Sequence, residues 1–395
     1  MGPEDFVPAQ RRHLVRAEGG YRAFVPPALP PKLAFDGKLS LRLSAADRAV
    51  GELAGVGRSL LNPQLLTHAL IRREAVLSSR IEGTSATLSD LVLYELDKPA
   101  GSSYDDVREV YNYVAATEHV LDPARLLPLS LSLLREAHQL LLTGVRGGHA
   151  APGEFRTSQN WIGPPGSSIT TASYVPPPPE RLWEALDPFE KHLHATHHLP
   201  PLMTIAAAHY QFEAIHPFLD GNGRVGRLLV MLLLVEWGLL PGPLLDLSAY
   251  IEPRRDRYYD ALVGVSTKGD WITWTTFFLE CVEQQARDTI SRAGALNNLR
   301  EDYRRRTAGA RSAGTLGLLI DELFHVPALT NNKAIEILGV THRAAAQNID
   351  KLVAAGILVE TQSRGRTRQF VARGIMNVVE GNPLQQPAHR DRRLT

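Results

Sequence analysis

The stretch from Leu202 to Gly238 constrains this chain most, because it sets two apolar helical segments on either side of one short polar loop. Leu202–Ile215 and Arg224–Gly238 both carry helical patterning, and Leu228–Val235 is the longest unbroken apolar run. That run ends at Glu236, well short of the roughly 18 residues a membrane span needs, so it reads as a buried core helix. A helix apolar on all sides must be surrounded by others. The 395 residues are enough for two or three modules sharing a large core.

The loop itself is His216-Pro217-Phe218-Leu219-Asp220-Gly221-Asn222-Gly223-Arg224-Val225-Gly226-Arg227. Glycines let backbone N–H groups close on an anion without Cβ interference. The following helix aims its partial positive charge into the same concavity. Arg224 and Arg227 share one face of its first turn and offer forked donors matched to phosphate oxygens. Asp220 can hold a Mg²⁺ ion bridging those phosphates, and His216 can take a proton from an attacking hydroxyl. Each piece alone is commonplace; a Gly-Asn-Gly is usually a turn. All of them within one interhelical loop read as a nucleotide-phosphate site.

The rest of the chain divides around this loop. Residues 1–120 form a proline-rich arm followed by helices, with Ser44 expected to cap the first and Pro63 to open the second. Residues 121–295 form the core. Within it Asn160-Trp161-Ile162 and Ile169-Thr170-Thr171 flank Gly163-Pro164-Pro165-Gly166 as a β-hairpin. Residues 296–378 hold a linker near Ala308–Ala313 and then a winged helix-turn-helix pattern, with Arg364, Arg366 and Arg368 on the wing. Residues 379–395 read as a disordered polar tail. The net charge of +1 gives no whole-protein field for nucleic acid or membrane, so DNA binding would rest on the local patch of the wing and Thr341-His342-Arg343. Cys281 is the single cysteine, which excludes an internal disulfide. With no signal-like N-terminus or membrane span, the expected location is cytoplasmic.

The loop resembles the signature of the Fic family, His-Pro-Phe-x-(Asp/Glu)-Gly-Asn-Gly-Arg-x-x-Arg, at every specified position. The resemblance implies a mainly α fold: an all-helical Fic core with a β-hairpin flap, an N-terminal helical region and a C-terminal winged helix-turn-helix. It implies a protein adenylyltransferase that cleaves ATP between the α and β phosphates and places AMP on Ser, Thr or Tyr hydroxyls of target proteins and of itself. His216 would be the general base and Asp220 the Mg²⁺ ligand. The ATP site would comprise Gly221, Asn222, Gly223, Arg224, Val225, Gly226 and Arg227, with the Asn222 side chain and Arg224 on the α and β phosphates and Arg227 on the γ phosphate. Tyr258 and Tyr259 resemble a stretch near the family's adenine pocket. The hairpin from Trp161 to Tyr174 would clamp the target segment by strand addition. A homodimer is also expected by this resemblance.

A second stretch, Ser78-Ser79-Arg80-Ile81-Glu82-Gly83, resembles the family's inhibitory motif, (Ser/Thr)-x-x-x-Glu-(Gly/Asn). An acid in a last helical turn opposes the helix dipole and calls for a cationic partner. That partner is either a nearby surface residue such as Arg80 or, in the sharper reading, Arg227. The second choice would hold the enzyme off through Ser78, Glu82 and Gly83. Two other readings stay open at this point: removal of AMP by the same fold, with Glu82 orienting a water, and a DNA-binding regulator using the core as a nucleotide sensor.

Overall fold

The computed structural model describes residues 2–33, 36–59, 63–97, 105–125, 128–145, 150–164, 166–196, 198–310, 312–361 and 368–381. The N-terminal arm is packed onto the body. α1 (Pro8–Arg11) precedes β1 (Leu14–Arg16) and β2 (Arg22–Phe24), an antiparallel hairpin in register Leu14↔Phe24. The proline content of this region had hidden the hairpin. Phe6 and Phe24 stack with ring centroids 5.6 Å apart, and Phe24 N–H reaches Val175 O at 2.9 Å.

α2 (Gly37–Ser59) starts well before the expected cap at Ser44. Asp36 does the capping, its Oδ1 accepting from Leu39 N–H at 2.8 Å, and Ser44 is an exposed position inside the helix. α3 (Pro63–Ile81) opens on Pro63 as expected and stops where Gly83 takes φ +100°, a left-handed conformation suited to glycine. α4 (Leu88–Asp97), α5 (Asp105–Val120) and α6 (Leu131–Leu142) follow, then α7 (Leu182–His194). α8 (Pro201–Ile215) and α9 (Asn222–Glu236) form the centre, and every residue of α8 from Leu202 to Ile215 is buried.

α10 (Ser248–Ile251), α11 (Arg255–Lys268) and α12 (Trp271–Thr307) complete the helical layer. α12 runs unbroken for 37 residues, through the boundary expected at 295. Its inner face remains apolar beyond that point, with Leu296 and Tyr303 buried. Arg300 and Arg304 lie inside this helix and pair with Asp321 at 2.8 and 2.6 Å. The connection expected near Ala308–Ala313 falls between Thr307 and the helix that starts at Ala313.

The C-terminal unit contains α13 (Ala313–His325), β3 (Ala328–Thr330), α14 (Asn331–Leu338), α15 (His342–Ala354), β4 (Val359–Glu360), β5 (Gln369–Val371) and α16 (Arg373–Glu380). The antiparallel strands are ordered β3-β5-β4. This is the element order expected of a winged helix-turn-helix, with an added third strand and last helix. Arg364 and Arg366 lie outside the described residues, as does the tail from 382. Arg368 is paired with Glu360 at 2.7 Å, which removes it from the expected basic patch. α13 and α16 pack on α3, so this unit shares the core cluster with the rest of the molecule. Among the described residues, no helix is long and apolar enough to cross a membrane.

Candidate active site: a clamped loop and an occupied arginine

α8 ends at His216, whose φ of 50° and ψ of 60° lie in the left-handed region that non-glycine residues seldom enter. Such a conformation costs on the order of 1–3 kcal/mol and persists only where the surroundings fix it. Here they do. Buried Arg156 donates from Nε to His216 O at 2.9 Å and from Nη2 to Pro177 O at 2.5 Å, while its backbone N–H bonds Pro217 O at 2.9 Å. Asn160 Nδ2 donates to Phe218 O at 2.7 Å. His138 stacks on Phe218 at 3.8 Å with the rings 11° apart. Its Nδ1 accepts from Gly153 N–H at 2.9 Å, so the proton sits on Nε2 and is donated to Asp220 O at 3.0 Å. Burial pushes the His138 pKa down to about 4, which keeps this neutral tautomer in place.

The same logic fixes His216. Its Nδ1 lies 3.2 Å from Glu213 O, and a carbonyl can only accept, so Nδ1 carries the hydrogen and Nε2 keeps its lone pair. Burial first, then the neighbouring Arg156 charge, lower its pKa to about 4. The ring is therefore a neutral base at ordinary pH.

Gly221 takes φ +76° and opens α9, whose first N–H groups have no carbonyl one turn earlier to bond. Those donors face a cavity of about 730 Å³ that also contains His216, Asp220, Gly223 and Arg227. Gly223 lets the Glu82 carboxylate come close, since a Cβ there would push Oε1 aside.

Arg227 is the most constrained residue of the site. Its Nε donates to Ser78 Oγ at 2.8 Å, and its Nη2 donates to Ser78 O at 2.9 Å and to Glu82 Oε1 at 2.7 Å. The guanidinium is 1% exposed and the Glu82 side chain 30% exposed, so the carboxylate sits on the cavity side of the pair. Burial disfavours the charged carboxylate, but the charge and hydrogen bond of Arg227 more than offset it, and the Glu82 pKa is lowered. Of the two partners considered for Glu82, the structure has Arg227. Gly83 terminates α3 and does not touch the cavity.

Four expected phosphate ligands stand differently. The Asn222 side chain is committed to its own loop, with Oδ1 accepting from Phe218 N–H at 2.9 Å and Nδ2 donating to Phe218 O at 2.8 Å. Arg224 turns beneath the loop to Glu109 Oε2 at 3.3 Å and is 3% exposed, because the interior carboxylate competes for it. Val225 is core. Gly226 lies under Glu213, close enough that a Cβ would strike Oε1, and so serves helix packing.

Tyr258 and Tyr259 both border the cavity. Tyr258 is nearly fully buried with its hydroxyl 2.8 Å from His209 Nε2, so it contributes a ring face; Tyr259 is 40% exposed. On the same cavity, the expected hairpin shows one antiparallel bridge among the described residues, Ile162↔Tyr174, with bonds of 2.8 and 3.0 Å. Two prolines in its turn remove the N–H groups a longer ladder would need. Sequence reasoning missed Arg156, His138 and Glu213. The signal for Arg156 was slight: one arginine in Gly153-Glu154-Phe155-Arg156, just ahead of the flap.

The site is thus a clamped glycine-containing loop on a helical core, with its last arginine held by a carboxylate from an N-terminal helix. Residues 40–122 match the Fic/DOC family N-terminal region and residues 128–234 match the Fic/DOC family. Two segments of the chain thus resemble this family. It is 32% identical over 212 residues to a protein adenylyltransferase Fic of Drosophila virilis, covering 52% of this chain and 39% of that protein. The protein of the same name from Drosophila melanogaster is 30% identical over 212 residues, with 52% and 39% covered. The chain thus spans about two-fifths of the length of these relatives. The fold also resembles the crystal structure of a Fic family protein from Desulfovibrio desulfuricans, with a TM-score of 0.58 and 22% identity, covering 87% of this chain and 98% of the other.

Proposed function

We propose that this protein is an adenylyltransferase that moves AMP from ATP to hydroxyl side chains of proteins, itself included, and that Glu82 holds it off at rest. The Glu82–Arg227 pair carries this reading, since the arginine best placed for a terminal phosphate is occupied by a carboxylate from outside the loop. In the released enzyme, Arg227 and the first N–H groups of α9 bind the phosphates. His216 Nε2 takes the proton of the target hydroxyl as its oxygen attacks the α phosphorus. The bond from that phosphorus to the bridging oxygen breaks, pyrophosphate leaves, and AMP stays on the target as a phosphodiester.

Asp220 suits a Mg²⁺ ion. Its side chain is 53% exposed at the cavity, and Oδ1 already accepts from Gly221 N–H at 2.6 Å, leaving Oδ2 for a ligand. Magnesium is commonly held by one or two carboxylates together with substrate phosphates. Bound there, it would neutralise phosphate charge. The arm from Trp161 to Tyr174 borders the same cavity and is the segment on which a target chain would lie.

The test is incubation of wild type, Glu82→Gly and His216→Ala with ATP, Mg²⁺ and cell lysate, followed by mass spectrometry for AMP on hydroxyl side chains. Labelling should rise in Glu82→Gly, with auto-AMPylation included, and vanish in His216→Ala. Equal or lower labelling in Glu82→Gly contradicts the off-switch, and label surviving in His216→Ala contradicts the base.

A further inference from the structure

The cavity wall running away from His216 is built largely from hydroxyls that already have protein partners. Tyr210 Oη and Ser266 Oγ bond each other at 2.8 Å. Tyr258 Oη meets His209 Nε2 at 2.8 Å, and Tyr174 Oη donates to Ala214 O at 2.8 Å. Glu213 breaks this pattern. It borders the same cavity and is only 9% exposed, yet its Oε1 is buried without a hydrogen-bond partner among the described residues. That oxygen packs against Gly226, where no Cβ stands in the way, so the other carboxyl oxygen is the one that meets the cavity. Burial lifts the carboxyl to about 7 even though the nearby Arg227 charge pulls it down. An unpartnered buried carboxyl is unfavourable for folding, and such groups mark places where a ligand completes the bonding.

Position narrows the ligand group. Tyr210, Glu213 and His216 follow one another at three-residue steps along one face, so Glu213 lies about one helical turn behind the base. A nucleotide whose α phosphate is at His216 has its ribose attached directly to that phosphate. The largely apolar wall of Tyr259, Leu262 and Val263 suits the base beyond it. A carboxyl one turn from the reacting phosphate therefore meets sugar hydroxyls, a pairing carboxylates make in other nucleotide sites.

We propose that Glu213 is a specificity-determining residue that accepts a hydrogen bond from a ribose hydroxyl of the bound nucleotide and thereby selects ribonucleotides. This rests on the adenylyltransferase reading above. Equilibrium binding of ATP, 2′-deoxy-ATP and 3′-deoxy-ATP with Mg²⁺ would be measured calorimetrically for wild type, Glu213→Met and Glu213→Gln. Met has similar bulk and no strong acceptor, while Gln keeps one. Thermal melting checks folding, and Glu213→Met should melt no lower than wild type. Wild type should bind ATP about tenfold tighter than at least one deoxy analogue. Glu213→Met should bind all three at the weaker level, and Glu213→Gln should keep part of the preference.

The proposal fails if wild type binds the three nucleotides alike, or if Glu213→Met still discriminates. It also fails if Glu213→Met weakens all three by the same factor, because the residue would then act on the phosphates through Arg227. Failure of wild type to bind any of the three would instead defeat the adenylyltransferase reading, and this inference with it.

Discussion

The catalytic loop and the flap border the same cavity and are held in opposite ways. From His216 to Gly223 the backbone is tied by Arg156, Asn160, His138 and the Asn222 side chain, all bonding main-chain atoms. From Trp161 to Tyr174 the flap has a single bridge among the described residues, and Trp161 is 42% exposed. The chemical end of the cavity is thus pre-organised before substrate arrives, whereas the flap keeps strand edges unpaired where a target chain could add to them. Glu82 pairs with Arg227, just past the first of these regions.

If the loop is the rigid half, cutting its clamp should do the most damage. Arg156→Leu should lower the AMP-transfer rate about 100-fold, since a displacement near 1 Å at a reacting group costs that much. It should also raise the lower limb of the pH–rate profile above its expected position near pH 4. The sign follows from the Arg156 cation, which together with burial keeps the His216 pKa low; removing it lets imidazolium form at higher pH. An unchanged limb would mean that Arg156 is remote from the base. His138→Phe keeps the stack on Phe218 but leaves Gly153 N–H without its acceptor, for a loss of roughly 1–3 kcal/mol in unfolding free energy. Because Asp220 also loses its backbone anchor, the Mg²⁺ concentration for half-maximal rate should rise several-fold. Unaltered Mg²⁺ dependence would show that the anchor does not matter to the metal. The smallest effect belongs to the flap: Trp161→Ala should raise KM for a protein target a few-fold and leave kcat within about twofold. A fall in kcat matching that of Arg156→Leu would erase the contrast between the regions.

The helices of the core were legible because apolar periodicity and caps are local, as with Pro63 and Gly83. The start of α2 was misread because Ser44, on an exposed face, looks like a cap when the real one, Asp36, lies eight residues earlier beside the prolines. The loop was legible for the same local reason, since its function is written in twelve consecutive residues. Arg227 found its partner across 145 positions only because Glu82 sat in a helix end where an acid is out of place. Arg156 and His138 carry no comparable anomaly. Their partners are backbone carbonyls 60 and 82 residues away, which any sequence could supply. Arg224 and Asn222 were assigned to phosphate because the pattern of residue types does not reveal the competing interior partners, Glu109 and Phe218.

The most direct test concerns the Glu82–Arg227 contact at saturating ATP. If Glu82 spoils phosphate geometry without blocking binding, wild type should bind ATP and still transfer AMP at least about tenfold more slowly than Glu82→Gly, even when ATP saturates both. A rate difference that disappears at saturation, or no difference at any ATP concentration, would contradict an arginine held off its phosphate as the brake.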